Sequence, residues 1–268
     1  MLTIINDKPQ KLSKTCLKQV GGLSYSVFMK LLRKKDVKIN GVRVNKDILL
    51  NVGDKIEIYY SPSTVTAYKT IYSDDNVVVV DKQSGFTSDE IYSKILIEHP
   101  TARFIHRLDR NTCGLMIFAL NTSAEEQLLY GFKHHAFDKK YLCTVYGKVK
   151  KDSDILSAYL LKDASSSTVK IFDKKVDGSV EIKTGYRVIS RKENTTDLEV
   201  TLYTGKTHQI RAHLSFIGHF ILGDGKYGDA KINKQFGLSR QQLKAYKLTL
   251  RFGEDSSLYY LNGKTFEI

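Results

Sequence analysis

The run "FIHRLDRNTCGLMIFAL", residues 104–120, limits the architecture more than any other part of the chain. Leu115 to Leu120 are continuously apolar and too few for a helix of ordinary length, so they read as a buried strand entered from the Thr112–Cys113–Gly114 turn. Its mouth is crowded with His106, Arg107, Asp109 and Arg110. A strand end that carries charge usually just meets solvent. Here one carboxylate stands between two arginines, an order that favours its ionised form and suits a nucleophile or a base.

Two units and a linker are expected. Residues 1–60 hold twelve Lys and Arg against five Asp and Glu, leaving +7 of the chain's formal +13. That concentration of cations points to a polyanionic partner, most simply nucleic acid. Within it, "SYSVFMKLLRKKDVKIN" reads as a helix capped by Ser24, with Phe28, Leu31 and Leu32 at helical spacing. "VKINGVRVN" reads as a hairpin turning at Asn40-Gly41, and Ile56 and Ile58 mark a last strand. Arg33, Lys34, Lys35, Lys38 and Arg43 are the cations of this helix and hairpin, and are the candidates for contacting nucleic acid. Residues 61–70 lack a period and contain a proline, as a linker would.

The remainder, residues 71–268, mixes hairpin-like strands with helices, which favours an α+β fold. "NVVVVDKQSG" reads as a buried strand running into a loop, and "KKYLCTVYGKV" and "DLEVTLY" as alternating strands. Residues 150–180 are polar and weakly patterned, and "DASSSTVK" reads as a mobile flap. In "TGKTHQIRAHLSFIG", Ile210, Leu214 and Ile217 form the buried stripe of a helix with Thr207 as N-cap and Gly218 as stop. Arg211 then stands in the first turn, where the helix dipole disfavours a cation, and such local conflicts tend to mark function.

Several classes fall away. No stretch approaches 18 apolar residues, and lysines run through residues 1–20, so neither a membrane span nor a secretory signal is expected. Cys16, Cys113 and Cys143 lie far apart and read as reduced thiols of a cytoplasmic protein. His208, His213 and His219 lack the i, i+4 spacing of helical zinc ligands, so no metal is expected. Neither a Walker-type loop nor GxGxxG occurs.

Four segments, taken together, resemble one family. "HRLDRNTCGLMIFAL" is similar to the H-R-L-D-x-x-T-S-G-L signature of the RluA family of pseudouridine synthases, and "TGKTHQIRAHLSFIGHFILGDGKYG" to that family's second signature. "KKYLCTVYG" resembles its K-x-Y-x-A-x-V-x-G strand and "RQQLKAYKL" its closing motif. The opening unit, with "RKKDVKINGVRVN" and "VGDKIEI", resembles the RNA-binding module named after ribosomal protein S4. The departures are Gln83, Cys113, Lys206 and Lys244, none at an Asp, Tyr or Arg position of the motifs.

The resemblance implies a pseudouridine synthase fold, with a mixed, largely antiparallel central sheet and flanking helices, preceded by a small S4-like α/β domain. It implies isomerisation of uridine to pseudouridine in RNA, in which uracil is detached at its glycosidic nitrogen, turned and rejoined through carbon 5. No cofactor is implied. Asp109 would be the nucleophilic carboxylate, Tyr141 the active-site tyrosine that stacks beneath the base and takes part in proton transfer, and Arg211 the cation paired with Asp109. His106, Arg107, Lys206, Thr207 and His208 would contact substrate. Large-subunit ribosomal RNA is the favoured partner, with transfer RNA the alternative, and a monomer is expected. Two other classes compete: a non-catalytic RNA-binding or ribosome-assembly protein, and a glycoside hydrolase. The first has no need of Asp109, Tyr141 and Arg211 together. The second needs a paired carboxyl, and Asp224, the nearest candidate, reads as a turn cap.

Overall fold

The computed structural model describes residues 1–21, 23, 25–60, 66–163 and 167–268, with the backbone alone at Ser26. It divides into two units, Met1–Thr66 and Ala67–Ile268. The proposed cap Ser24, residues 61–65 of the expected linker and the centre of the "DASSSTVK" segment fall outside the described residues. The expected linker, 61–70, runs too far: Tyr68 to Thr70 already belong to a strand of the second unit, because Tyr68 is buried with Val80 and Ile95.

In the first unit, Tyr25–Arg33 is helical, with Phe28 and Leu32 fully buried on one stripe. Strands Val37–Ile39 and Val42–Arg43 form the expected hairpin, and Asn40 and Gly41 adopt φ of 49° and 81°, as its turn requires. Lys55–Ile58 joins it, flanked by Leu2–Ile5, which pairs antiparallel on the far side. Helix Leu12–Gln19 completes the core through Leu12 and Cys16. The sequence reading missed both the first strand and this helix, whose apolar stripe is thin.

The second unit is built on one eleven-stranded sheet. Its main elements are β1 (Tyr68–Ser73), β2 (Val77–Lys82), α1 (Ser88–Glu98), β3 (Cys113–Ala119), α2 (Thr122–Lys133), β4 (Asp138–Tyr146), β5 (Ser153–Asp163), β6 (Thr168–Phe172), β7 (Val180–Arg191), β8 (Thr195–Leu202), α3 (Gln209–Phe216), α4 (Ala230–Gln235) and β9 (Leu243–Thr249). The strand order is β6-β5-β7-β8-β4-β9-β3-β2-β1, with short strands Arg103–Phe104 on β3 and Thr265–Glu267 on β9. Among the described residues only β3 and β9 pair in parallel. Among the described residues no helix is long and apolar enough to cross a membrane.

The apolar continuity of β3 has a direct cause. Met116 and Phe118 join Ile91 and Ile95 of α1 in one core cluster, while Leu115, Ile117 and Ala119 join Ala124 and Leu128 of α2 in another. A strand covered on both faces has no polar side to alternate with. Helix α1 starts at a capping box, in which the Thr87 hydroxyl accepts from the Glu90 N–H and the Glu90 carboxylate accepts from the Thr87 N–H.

Ser153–Asp163 and Thr168–Phe172 are paired antiparallel strands, β5 and β6, rather than an unpatterned stretch. Ala158, Leu160 and Val169 pack with Ile182 on Ala212 of α3, in a small core of their own. Ile155 stays exposed and Leu156, Leu161 and Ile171 are only partly buried, so apolar residues fall on both faces, which hid the period in the sequence.

Gly114 fixes the approach of β3 to β9. Its φ is +116°, and a Cβ there would lie 2.2 Å from the Ala245 carbonyl oxygen. The backbone strain alone costs on the order of 1–3 kcal/mol, and the strands must also part. Gly114→Ala is therefore expected to lower unfolding stability by at least about 3 kcal/mol in urea melts. A loss below about 1 kcal/mol would show that the β3–β9 contact is not tight.

Candidate active site

Asp109 lies on the loop that feeds β3, and this loop is staked from the segment joining β2 to α1. The Ser88 hydroxyl donates to the Leu108 carbonyl and accepts from the Leu108 N–H, both at 2.9 Å. Gly85 N–H donates to the Arg110 carbonyl at 2.9 Å, and the Ser84 hydroxyl to the Asn111 carbonyl at 3.0 Å. Lys82 is fully buried, and its Nζ donates to the carbonyls of Gln83, Phe86 and Arg110 at 3.2, 2.8 and 3.1 Å. Burial pushes its pKa down to about 8. No motif in the sequence points to these residues. A lysine ending a four-valine strand was the available signal, since a buried cation needs several acceptors.

The flanking arginines are not what holds the carboxylate. Arg110 turns away and donates to the Gly85 carbonyl at 3.1 Å and to Glu90 at 3.3 Å. Arg107 is exposed and lines the rim of the cavity. The partner of Asp109 comes from α3: Arg211 Nη1 donates to Asp109 Oδ2 at 2.7 Å, across 102 residues of sequence.

Arg211 is itself buried and held from behind. Its Nε and Nη2 donate to Asp224 Oδ2 and Oδ1 at 2.7 and 2.8 Å, a two-pronged pair that fixes the guanidinium plane. Asp224 also caps its turn, as expected, with Oδ1 accepting from the Lys226 and Tyr227 N–H groups. Burial alone would raise the Asp224 carboxyl, but its bonds to Arg211 and the backbone outweigh that and hold it below the usual carboxylate range. The Arg211 guanidinium is likewise held above its ordinary value, with both carboxylates overcoming its burial.

Helix α3 does not start at a Thr207 cap. The capping position is His208, in the left-handed region at φ 54°, with no side-chain cap. The turn is closed by Gln209, whose Oε1 accepts from the Thr204 hydroxyl and the Lys206 N–H while its Nε2 donates to Thr184 and to the Lys183 carbonyl. With that closure Thr207 lines the cavity instead. Ile210 and Leu214 are buried as the periodicity requires, and Gly218 ends the helix at φ +84°.

A cavity of about 150 Å³ opens on Asp109, lined by Arg107, Tyr141, Lys206, Thr207, His208 and Arg211 among others. Tyr141 is nine-tenths buried in the main core on β4, and burial, then the charge of Asp109, pushes its phenol well above the ordinary tyrosine range. It is a neutral wall of the cavity. His106 does not line the cavity. Its Nε2 accepts from the Ile117 N–H at 3.1 Å and its ring stacks on Phe132 at 4.4 Å. Burial drops its pKa to about 3. His213 and His219 go to separate partners, Thr184 and the Tyr146 carbonyl.

In the first unit, Arg33, Lys34, Lys35 and Arg43 are exposed. Arg43 donates to the Lys35 carbonyl at 2.8 Å, and Lys38 and Arg43 lie 5.3 and 5.8 Å from the Tyr59 ring centre. Two cations flanking an exposed aromatic ring offer both phosphate contact and stacking.

Comparison with known proteins bears on the family and the fold. Residues 76–216 match the family model described as RNA pseudouridylate synthase. The chain is 29% identical to the ribosomal large subunit pseudouridine synthase C of Haemophilus influenzae, covering 92% of this chain and 86% of that protein. It is 28% identical to the protein of the same name from Escherichia coli, over 89% and 84%. Among solved structures, human RNA pseudouridylate synthase domain containing 1 superposes with a TM-score of 0.61 at 24% identity, covering 70% of this chain and 80% of that one, a likeness of fold.

Proposed function

Because the chain belongs to the RNA pseudouridylate synthase family, we propose that it isomerises uridines of large-subunit ribosomal RNA, with Asp109 as the working carboxylate. The observation that carries the site assignment is the 2.7 Å bond between Arg211 and Asp109 at a cavity walled by Tyr141. The ribosomal target is supported by the names of its relatives from Haemophilus influenzae and Escherichia coli.

Arg211 binds Oδ2 of Asp109, so Oδ1 is the oxygen presented to the sugar of a bound nucleotide. The guanidinium aims the carboxylate, and Asp224 keeps the guanidinium from swinging. Tyr141, neutral and packed, gives the uracil a flat face to turn against, and Leu202, Ile210 and Leu243 close the apolar side that retains the detached base. The isomerisation breaks one bond, forms another and relocates one proton, which calls for no redox equivalent and no metal.

A target uridine must leave its helix to reach Asp109, at a cost of a few kcal/mol. Lys206 and Arg107 at the rim supply phosphate contacts that offset it. The S4-like unit adds grip through Lys38, Arg43 and Tyr59, with Arg33, Lys34 and Lys35 alongside.

Ribosomal and transfer RNA transcripts tritiated at carbon 5 of uracil provide the test, since every uridine isomerised releases its tritium to water. Release from large-subunit ribosomal RNA alone is the expected result. Release from transfer RNA alone would move the target, and tight binding without release from either would favour a binding protein.

A further inference from the structure

His208 enters the cavity on a left-handed backbone, φ +54°, which non-glycine residues seldom adopt and which tends to persist where function demands it. Its Nδ1 lies 2.9 Å from the Tyr227 hydroxyl, and that hydroxyl accepts the Val169 N–H at 2.8 Å. A phenol has one proton to give. With Val169 on one lone pair, donation from Tyr227 to Nδ1 uses both the phenol's proton and the imidazole's lone pair, and in that arrangement the ring hydrogen sits on Nε2. That nitrogen is the one turned to the chemistry, 3.9 Å from Asp109 Oδ2. Tyr227 cannot drift: its carbonyl accepts from Ser215, its N–H donates to Asp224, and its ring lies 5.2 Å from the Arg211 guanidinium carbon.

The imidazole is also kept uncharged. Burial lowers its pKa, Arg211 and Lys226 push the same way, and the opposing charges of Asp109 and Asp224 do not restore it. A neutral ring leaves Asp109 to Arg211, where an imidazolium would compete for the carboxylate.

We propose that His208 is a catalytic residue, a neutral imidazole whose Nε2–H hydrogen-bonds the uracil as it leaves the sugar, with Tyr227 as the positioning residue that fixes its tautomer. The inference rests on the synthase reading. When the C1′–N1 bond breaks, its electron pair departs with uracil and spreads from N1 onto the carbonyl oxygens. Nε2–H donates to one of those oxygens and keeps its proton. The C5 pair then bonds C1′, the C5 proton leaves, and N1 takes up a proton, so atoms and electrons balance. The bond strengthens as negative charge develops, which makes it an interaction of the transition state rather than of the bound substrate.

The test pairs spectroscopy with kinetics on the full chain. Long-range proton–nitrogen spectra of ¹⁵N-histidine protein at pH 7.5, with His208 assigned by its loss in His208→Ala, should show hydrogen on Nε2 and an acceptor Nδ1. In Tyr227→Phe the fixed tautomer should give way to a mixture, and tritium release at saturating RNA should fall roughly tenfold with KM unchanged within about twofold. His208→Ala should lose on the order of a hundredfold in kcat. A native ring carrying hydrogen on Nδ1, or on both nitrogens, while tritium is released overturns the donor role alone. Unchanged rate and tautomer in Tyr227→Phe remove Tyr227 from it. A native chain that releases no tritium from any RNA overturns the synthase reading and the donor role with it. Should His208→Ala fail to fold, the native spectrum still decides, with assignment through Tyr227→Phe.

Discussion

Asp109→Asn is expected to reduce tritium release by about 10⁴-fold or more while leaving the chain folded and RNA-binding. The substitution removes the charge that attacks the sugar or assists departure of the base, and an amide can do neither. It also turns an acceptor of the Arg211 bond into a side chain that is half donor. The fold should survive because Arg211 keeps both of its bonds to Asp224, and because Asp109 is partly exposed rather than sealed in the core. Thermal unfolding should shift by only a few degrees, and RNA affinity should stay within a few-fold, since the carboxylate contributes no attraction to phosphate. The measurement is single-turnover tritium release with saturating enzyme. A variant within tenfold of native would remove Asp109 from the chemistry and leave the cavity as a binding site.

The second large effect concerns a residue that touches no substrate. Asp224→Ala should cost about 3–5 kcal/mol of stability, because it leaves the buried guanidinium of Arg211 with half its partners. Against a typical total of about 5–15 kcal/mol, that is a large fraction. At roughly 2–4 °C per kcal/mol for a unit of this size, the melting point should fall on the order of 10 °C. Activity should fall too, since Arg211 would no longer be aimed. The double variant Arg211→Met with Asp224→Ala separates the causes: removing the unpaired charge should return most of the stability and none of the activity. The folded carboxyl of Asp224 is held below its unfolded value, so its contribution is present at neutral pH and fades only as pH falls below about 4. A single variant within about 1 kcal/mol of native in urea unfolding would refute the buried-pair account.

Much of the fold was legible because its signals are local. Asn40-Gly41 takes the positive φ angles its hairpin needs, and Ile210 and Leu214 are buried where the helical spacing puts them. The doubly covered strand Cys113–Ala119 was readable from its unbroken apolar run. What escaped were elements whose cover is partial or whose period is diluted: helix Leu12–Gln19, and the hairpin of Ser153–Asp163 with Thr168–Phe172.

The candidate site divides in the same way. Short-range pattern and motif suffice to put Asp109 on a loop, Tyr141 on a strand and Arg211 on a helix of an α+β unit. Which of these side chains face one another depends on packing between distant segments. Arg110, next in sequence to Asp109, belongs to Glu90, while Arg211, 102 residues away, takes the carboxylate. His106 turns to the Ile117 N–H and leaves the cavity to His208. The physical reason is that neighbours along a loop point their side chains apart, and a buried charge goes wherever the packed chain offers a counter-charge and enough hydrogen bonds to replace water. Asp224 and Tyr227 are where this chain offers them.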